Sequence, residues 1–313
     1  MSGLKWNLKR VDARRSMNFK VIGLGEVLWD LLPSGPEMGG APANVACHAR
    51  ALGAHAAVIT RVGNDHFGQA ICRRFKQMGI AGMVQVDESA PTGTVTVSLS
   101  DDGIPGFTIQ ERVAWDRLTT TPDALATIRT ADAVCFGTLA QRSEPTRHAI
   151  QALVAAAPKE ALRVFDVNLR QNFFSADIIE QSLRLANVLK LNESELSVLA
   201  GLFGLAGSAR QQIEQLAGSH ELQLVALTRG FRGSLLFQAG QWSDCPSAPI
   251  KIADTVGAGD GFTAAMIIGM LHRIGLDEIN EFADEVARHI CSCAGATPPL
   301  PRDIGERFLS TYI

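Results

Sequence analysis

No apolar run in this 313-residue sequence reaches the ~18 residues that a helix needs to cross a bilayer, because glycine, histidine or charge breaks the longest candidates. A helical membrane span is therefore excluded. Positive charge is not in excess either, and a net charge of −3 offers no bulk attraction to nucleic acid. The cysteines, Cys47, Cys72, Cys135, Cys245, Cys291 and Cys293, have no Cys-x-x-Cys spacing and lack the density of a secreted disulfide scaffold. They read as reduced thiols of a cytoplasmic protein. Cys291 and Cys293 lie close together, but residues two apart do not share a helix face, which argues against a common metal. There is no internal repeat, no low-complexity tract and no Gly-x-x-x-x-Gly-Lys-Ser/Thr run that would mark a P-loop enzyme. Gly23-Leu24-Gly25 follows an apolar strand, yet position 28 is leucine, so the dinucleotide fingerprint is incomplete.

What the sequence does have is enough apolar content, 46% over 313 residues, to bury a large core. Strand-like runs at Val21 to Leu24, Ala56 to Val62, Ala133 to Phe136, Arg163 to Val167, Val188 to Leu191 and Leu224 to Thr228 alternate with helical patterns. The helices read as Ala41 to Leu52, Phe67 to Met78, Pro145 to Ala156, Ala176 to Leu185 and Ala209 to Leu216. Such alternation predicts an α/β fold, a mostly parallel sheet sandwiched by helices, with ligands at the carboxyl ends of the strands. The rhythm breaks between Pro91 and Ile109. There Thr94 to Leu99 alternates polar and apolar residues, Asp101-Asp102-Gly103 supplies a turn, and Phe107-Thr108-Ile109 resumes, which reads as antiparallel strands. Val27 to Leu32 is a further strand for the same small sheet, so its insertions fall around 27–38 and 91–112. One face of that sheet, Val95, Val97 and Leu99, is apolar and needs cover. Met1 to Ser16 holds five basic residues and no apolar run of signal-peptide length. We expect a weakly ordered extension over 1–16 and a folded body over 17–313.

The chemistry concentrates in Asp254-Thr255-Val256-Gly257-Ala258-Gly259-Asp260, which opens into the apolar stretch Gly261 to Ile268. Two glycines flanking an alanine let successive backbone N–H groups converge, and a following helix adds its unsatisfied donors and positive dipole end. An anion hole alone would reject a second negative charge. Asp260 beside the hole makes sense if it takes a proton from an attacking hydroxyl; read alone, it is equally an aspartate capping an ordinary helix. Upstream, Met38-Gly39-Gly40-Ala41-Pro42-Ala43-Asn44 places two glycines before a Pro-started helix. With Asp30 it offers donors and acceptors suited to several adjacent hydroxyls, or else a Gly-rich turn and a cap. Asp166-Val167-Asn168-Leu169-Arg170 ends an apolar strand, so its polar groups reach the rim of the sheet, with Asp166, Asn168 and Arg170 on one side if the strand persists. Asn192 and Glu195 sit three apart at a helix start, which also fits a capping box. Thr228-Arg229-Gly230-Phe231-Arg232-Gly233 follows another strand.

The 254–260 run resembles the second signature, Asp-Thr-x-Gly-Ala-Gly-Asp, of the ribokinase-like sugar kinases, the phosphofructokinase B type family, and every fixed position is matched. The resemblance implies the family's fold, including a small β-sheet lid over the sugar. It implies ATP as phosphoryl donor, Asp260 as catalytic base, and the N–H groups of Gly257, Ala258, Gly259 and Asp260 as the anion hole. Asp30, Gly39, Gly40 and Asn44 match the family's sugar-contacting region, and the Asp-x-Asn-x-Arg pattern puts Asn168 near the sugar and Arg170 near the transferring phosphate. Asn192 and Glu195 resemble its Asn-x-x-Glu motif, which orders Mg²⁺ and its waters; one carboxylate acting through water is adequate for that ion. Thr228, Gly230 and Gly233 resemble its nucleotide loop, and Asp254 marks the place where the family often binds K⁺. Arg61 to Gly68 resembles a further loop of the family, mainly structural, with His66 an ordinary loop histidine. We expect Phe107 to close over the sugar and paired lids to hold a homodimer.

Gly25-Glu26-Val27-Leu28-Trp29-Asp30 and Pro91-Thr92-Gly93-Thr94 look closest to the fructokinase branch. That branch implies fructose as the substrate. A 2-keto-3-deoxygluconate kinase or a ribokinase is the alternative among enzymes, the former because Arg170 could equally meet a substrate carboxylate. A non-catalytic sugar-sensing module is the alternative of another class. Retention of Asp260, Glu195 and the anion hole together weighs against it.

Overall fold

Short apolar strands ending in glycine or polar residues, each followed by a helix with one apolar stripe, can bury both surfaces only by layering. The computed structural model, which describes residues 19–99, 105–301 and 304, has that arrangement. In chain order the elements are β1 (Lys20–Leu24), β2 (Leu28–Leu32), β3 (Gly35–Gly39), α1 (Ala41–Ala51), β4 (His55–Gly63), α2 (His66–Met78), β5 (Ala81–Asp87), β6 (Gly93–Leu99) and β7 (Pro105–Ile109). There follow α3 (Pro122–Ile128), β8 (Ala133–Phe136), α4 (Glu144–Ala155), β9 (Leu162–Asp166), α5 (Ala176–Leu185), β10 (Val188–Asn192), α6 (Glu193–Phe203), α7 (Ala209–Ser219) and β11 (Leu224–Thr228). The chain then runs through β12 (Ser234–Gln238), β13 (Gln241–Cys245), α8 (Ala258–His272) and α9 (Leu276–Cys291).

A nine-stranded sheet runs β13-β12-β11-β10-β9-β8-β1-β4-β5. It is parallel except for β12 and β13, which pair antiparallel at one edge. Its two faces bury separate clusters. Ile22, Phe136, Phe165, Leu189 and Leu227 pack on one side against helices that include α4, α5 and α7. Val21, Val164, Val188 and Ala226 pack on the other against α1, α8 and α9. This is the period-two alternation of strands buried on both faces. Gly23 owes its identity to that packing, since a Cβ there would lie 2.0 Å from the Pro42 carbonyl oxygen of α1. The Gly-x-Gly of the first strand is thus a helix-packing device, not half of a dinucleotide loop.

A separate four-stranded sheet runs β3-β2-β6-β7. β6 and β7 are antiparallel as the alternation predicts, while β2 joins β6 in parallel. Val95 and Ile109, opposite one another, are buried in the main core, so the body itself covers the base of the apolar face. Two residues outward on that face, Phe107 is 58% exposed. The Asp101-Asp102-Gly103 turn and the 1–16 extension lie outside the described residues.

Periodicity did not find β5, β12, β13, α3 or α9; the start of α6 was read from its Asn192 cap, and α8 begins at Ala258, ahead of the apolar stretch. The strand expected to carry Asp166, Asn168 and Arg170 on one side ends at Asp166, and Asn168 has φ 42°. The alternation therefore stops before Asn168. Among the described residues no helix is long and apolar enough to cross a membrane, and all six cysteines are free thiols.

Candidate active site

Parallel strands bring their carboxyl ends to one rim, and there β9 and β10 place two opposite charges side by side. Asp166 and Lys190 are register partners on the face that packs against α8, and Lys190 Nζ lies 3.1 Å from Asp166 Oδ1. The other carboxylate oxygen accepts from Thr263 Oγ1 at 3.0 Å, which pins the first turns of α8 over the strand ends. The same hydroxyl lies 2.9 Å from Gly259 O of its own helix, so its one proton is shared between the two acceptors. Burial favours the neutral amine at Lys190, but Asp166, Glu195 and Asp260 outweigh it and hold the ammonium above its ordinary value. A Cβ on Gly259 would come 3.1 Å from Lys190 Nζ. The buried cation thus lies against the backbone of the Gly-Ala-Gly turn.

The helix α8 begins at Ala258, earlier than the apolar stretch indicates, with Gly257 as its N-cap at φ 79°. Only glycine suits that position, because a Cβ would also strike the Ala296 carbonyl oxygen at 2.0 Å. Ala258, Gly259 and Asp260 are the first three helical residues, so their N–H groups are among those a helix cannot satisfy internally. Asp260 Oδ2 accepts from Asn44 Nδ2 at 2.8 Å. Burial and the Asp166 charge push the Asp260 carboxyl up to about 7, against the opposing Asn44 bond and the Lys190 and Arg170 charges. A carboxyl poised near neutrality is suited to accepting and returning a proton.

The residues that the resemblance assigns to the sugar gather about the start of α1. Gly40 has φ 111° and caps that helix, and a Cβ there would meet the Glu26 carbonyl oxygen at 2.5 Å. A Cβ on Gly39 would sit 2.5 Å from Asp30 Oδ2, so the Asp30 carboxylate lies along the Gly39 backbone. Burial and Glu37 raise Asp30 to about 6, with Arg170 opposing. Arg170 is exposed and donates to Leu169 O. Its charge is felt by Asp30, Asp260 and the buried Glu26. Asn44 Oδ1 and Glu26 Oε2 are buried without a hydrogen-bond partner, which leaves two acceptors for hydroxyl donors. Gln171, beyond Arg170, donates from Nε2 to Phe107 O at 2.6 Å and ties β7 to the same loop.

Asn192 and Thr228 are register partners at the ends of β10 and β11. Asn192 and Glu195 form the capping box of α6: Asn192 Oδ1 accepts from Glu195 N, and Glu195 Oε2 accepts from Asn192 N at 2.8 Å. Glu195 Oε1 accepts from Leu169 N at 3.0 Å, so this carboxylate also anchors the Asn168–Arg170 loop. Gly230 has φ 59° and open space where a Cβ would be. Gly233, by contrast, is shaped for its turn, since a Cβ there would strike Cys245 O at 1.9 Å. Asp254 accepts from Val256 N and Gly295 N and braces its own loop. In the resembling segment Arg61 to Gly68, Asp65 caps α2 and accepts from Thr92 N and Oγ1, a structural role as expected.

Four residues at this junction escaped motif reading: Glu26, Asp166 as an ion-pair partner, Lys190 and Thr263. Lys190 was detectable. A lysine in the middle of the apolar run Val188 to Leu191 is a charge inside a strand buried on both faces, and such a charge needs a partner.

A family model described as pfkB family carbohydrate kinase matches residues 36–303. The chain is 32% identical over 266 residues to the fructokinase of Escherichia coli, covering 81% of this chain and 85% of that protein. Among solved structures it is similar to the fructokinase of Vibrio cholerae O395 in its fructose, ADP and calcium ion bound form, with 25% identity, a TM-score of 0.76 and coverage of 94% and 99%. A sugar kinase of Pyrococcus horikoshii in complex with ATP matches at 28% identity and TM-score 0.75, covering 93% of this chain and 97% of that one. With the signature turn capping α8 over the ends of β9 and β10, the sequence match across most of the chain settles its membership: this protein belongs to the pfkB family of carbohydrate kinases.

Proposed function

We propose that this carbohydrate kinase is an ATP-dependent fructokinase in which Asp260 is the general base. The observation that carries the reading is the junction at the first turn of α8. A carboxyl raised to about 7 stands there beside helix-terminal amides and the buried Lys190 ammonium. The sugar hydroxyl gives its proton to Asp260 as its oxygen attacks the γ-phosphorus, and the bond to the β-phosphate oxygen breaks to release ADP. Amides of residues 257–260 and the Lys190 charge stabilise the negative charge on the moving group. Arg170 supplies planar donors to its outer oxygens.

Sugar binding is assigned to Asp30, Gly39, Gly40, Asn44 and Asn168, and nucleotide binding to Asn192, Thr228 and Gly230, with Gly233 shaping the turn. Glu195 suits Mg²⁺ only through water, since each of its oxygens already accepts a backbone N–H and a second lone pair on each is left for a water. Bound there, the ion would neutralise charge on the phosphate chain. Asp254 and nearby backbone oxygens are the corresponding assignment for K⁺.

Fructose is favoured over a sugar acid by charge. Asp30 and Glu37 lie in the sugar region with Asp260, and Arg170 is the exposed cation whose field reaches both Asp30 and Asp260. The relative solved with fructose and ADP and the Escherichia coli fructokinase point the same way. The test is ADP release from ATP with fructose, ribose, 2-keto-3-deoxygluconate and nucleosides offered in parallel. Turnover highest with fructose is expected; preference for the sugar acid would replace the substrate, and fructose binding without ADP release would replace the enzyme by a sensor.

The small sheet is assigned as a lid. Since Gln171 bonds the Phe107 carbonyl and not its ring, Phe107→Ala removes only the exposed aromatic group. The expected result is a higher KM for the sugar and a higher ratio of ATP hydrolysis to sugar phosphorylation, with ATP binding kept. Wild-type values for both would reduce Phe107 to surface packing. Contact between two such sheets would give the homodimer, which light scattering at assay concentration tests directly.

A further inference from the structure

Asn44 is not the last side chain of α1 that reaches across to the signature loop. One turn on, His48 is 1% exposed, and its Nε2 lies 3.0 Å from the carbonyl oxygen of Ala296. A carbonyl oxygen only accepts, so the contact requires the proton on Nε2 and fixes the tautomer. Burial pushes the imidazole down to about 4, more than the Ala296 bond restores, and the ring stays neutral through the physiological range.

The partner oxygen is the one a Cβ on Gly257 would strike at 2.0 Å. His48 therefore grips a carbonyl that lies directly on the residue starting α8. The adjacent Gly295 N–H donates to Asp254 Oδ2 at 3.2 Å, and Cys291 O accepts from Ala253 N at 2.9 Å. Farther along, His289 Nε2 lies 3.0 Å from Pro299 O. The segment after α9 is thereby fastened to the signature loop at one end and to α9 at the other, and His48 is its tie to α1. On that helix Asn44 and His48 are four apart, on one face, so the element whose start holds Gly40 grips both Asp260 and the support of Gly257.

We propose that His48 is a positioning residue for phosphoryl transfer, holding the Ala296 carbonyl on Gly257 so that the amides of residues 257–260 stay aimed at the moving phosphoryl group. This rests on reading those amides as the anion hole. Displacing reacting groups by about 1 Å costs on the order of 100-fold in rate, so the effect belongs in kcat and not in substrate binding.

Two amides separate positioning from packing. In His48→Gln an N–H can stand where Nε2 stood, whereas the shorter side chain of His48→Asn reaches only the Nδ1 position. His48→Asn should lower kcat with fructose by about 10- to 100-fold while both KM values stay within about three-fold, and His48→Gln should stay within about five-fold of wild type. Wild-type kcat in His48→Asn, equal loss in both variants, or a loss confined to KM would overturn the proposal. Nitrogen-15 NMR of the unsubstituted protein gives a check free of folding effects: the proton is expected on Nε2, and a proton on Nδ1 overturns it. Asp260→Asn, assayed alongside, keeps the readings apart. Undiminished kcat there removes the catalytic reading itself, while loss there with an unaffected His48→Asn removes only the positioning role.

Discussion

Asp260→Asn is expected to lower kcat by about 100-fold or more while fructose and ATP binding stay within a few-fold, because the shape and the Asn44 contact survive and the proton acceptor does not. The same substitution should stabilise the fold, with a definite dependence on pH. The Asp260 carboxyl stands at about 7 in the folded chain against an ordinary 3.8. Folding therefore favours the protonated form, and that contribution is fully present below pH 3.8 and lost as pH rises through about 7. Wild type should become less stable over that window, and the amide should not. At about pH 8 we expect Asp260→Asn to melt a few degrees higher than wild type, with the gap closing towards pH 4. Near-normal kcat would remove Asp260 as the base, and an unchanged melting difference across pH would remove the buried-charge argument.

Lys190→Met should be the most damaging single substitution outside the signature. The side chains of Lys190 and Asp166 are 7% and 3% exposed, and removing one partner of a buried pair leaves an uncompensated charge that costs about 3–5 kcal/mol. Thr263 would remain as a hydrogen-bond donor to Asp166, but a hydroxyl does not replace an ammonium. Asp260 would lose one of the charges that hold its carboxyl down, so its titration should move upward. We expect a melting temperature lower by several degrees, kcat lower by about 100-fold or more, and a surviving pH–rate limb shifted to higher pH. A double substitution with Asp166→Asn separates the two effects. It should recover stability, because the orphaned charge is gone, without recovering kcat; recovery of both would show that Lys190 serves only the fold.

The fold was legible in the sequence because the parallel strands are short continuous apolar runs, and the six read from those runs are all strands of the main sheet. The edge strands β12 and β13 were not, since Phe237 and Trp242 are only partly buried against the core and weak burial writes a weak pattern. The signature site was legible wherever glycine geometry dictates identity, as at Gly40 and Gly257, whose backbones take φ 111° and 79°. It was not legible where a side chain's partner lies far away in the chain. The Lys190–Asp166 pair spans 24 residues, Asn44–Asp260 spans 216 and His48–Ala296 spans 248. Glu195 shows the converse. Its capping box was visible as a local alternative to a metal role, and its bond to Leu169 N shows it also holding the loop that carries Arg170.

If a carboxylate raised to about 7 takes the proton of a fructose hydroxyl, its titration governs the pH–rate profile. Fructose-dependent ADP release, followed as kcat/KM from about pH 5 to pH 9, should rise with unit slope and level off around the Asp260 value of about 7. The ionised base is the active form, so activity is lost as pH falls. A profile flat through that range in fructose-dependent turnover, or one that Asp260→Asn reproduces, would exclude Asp260 as the base.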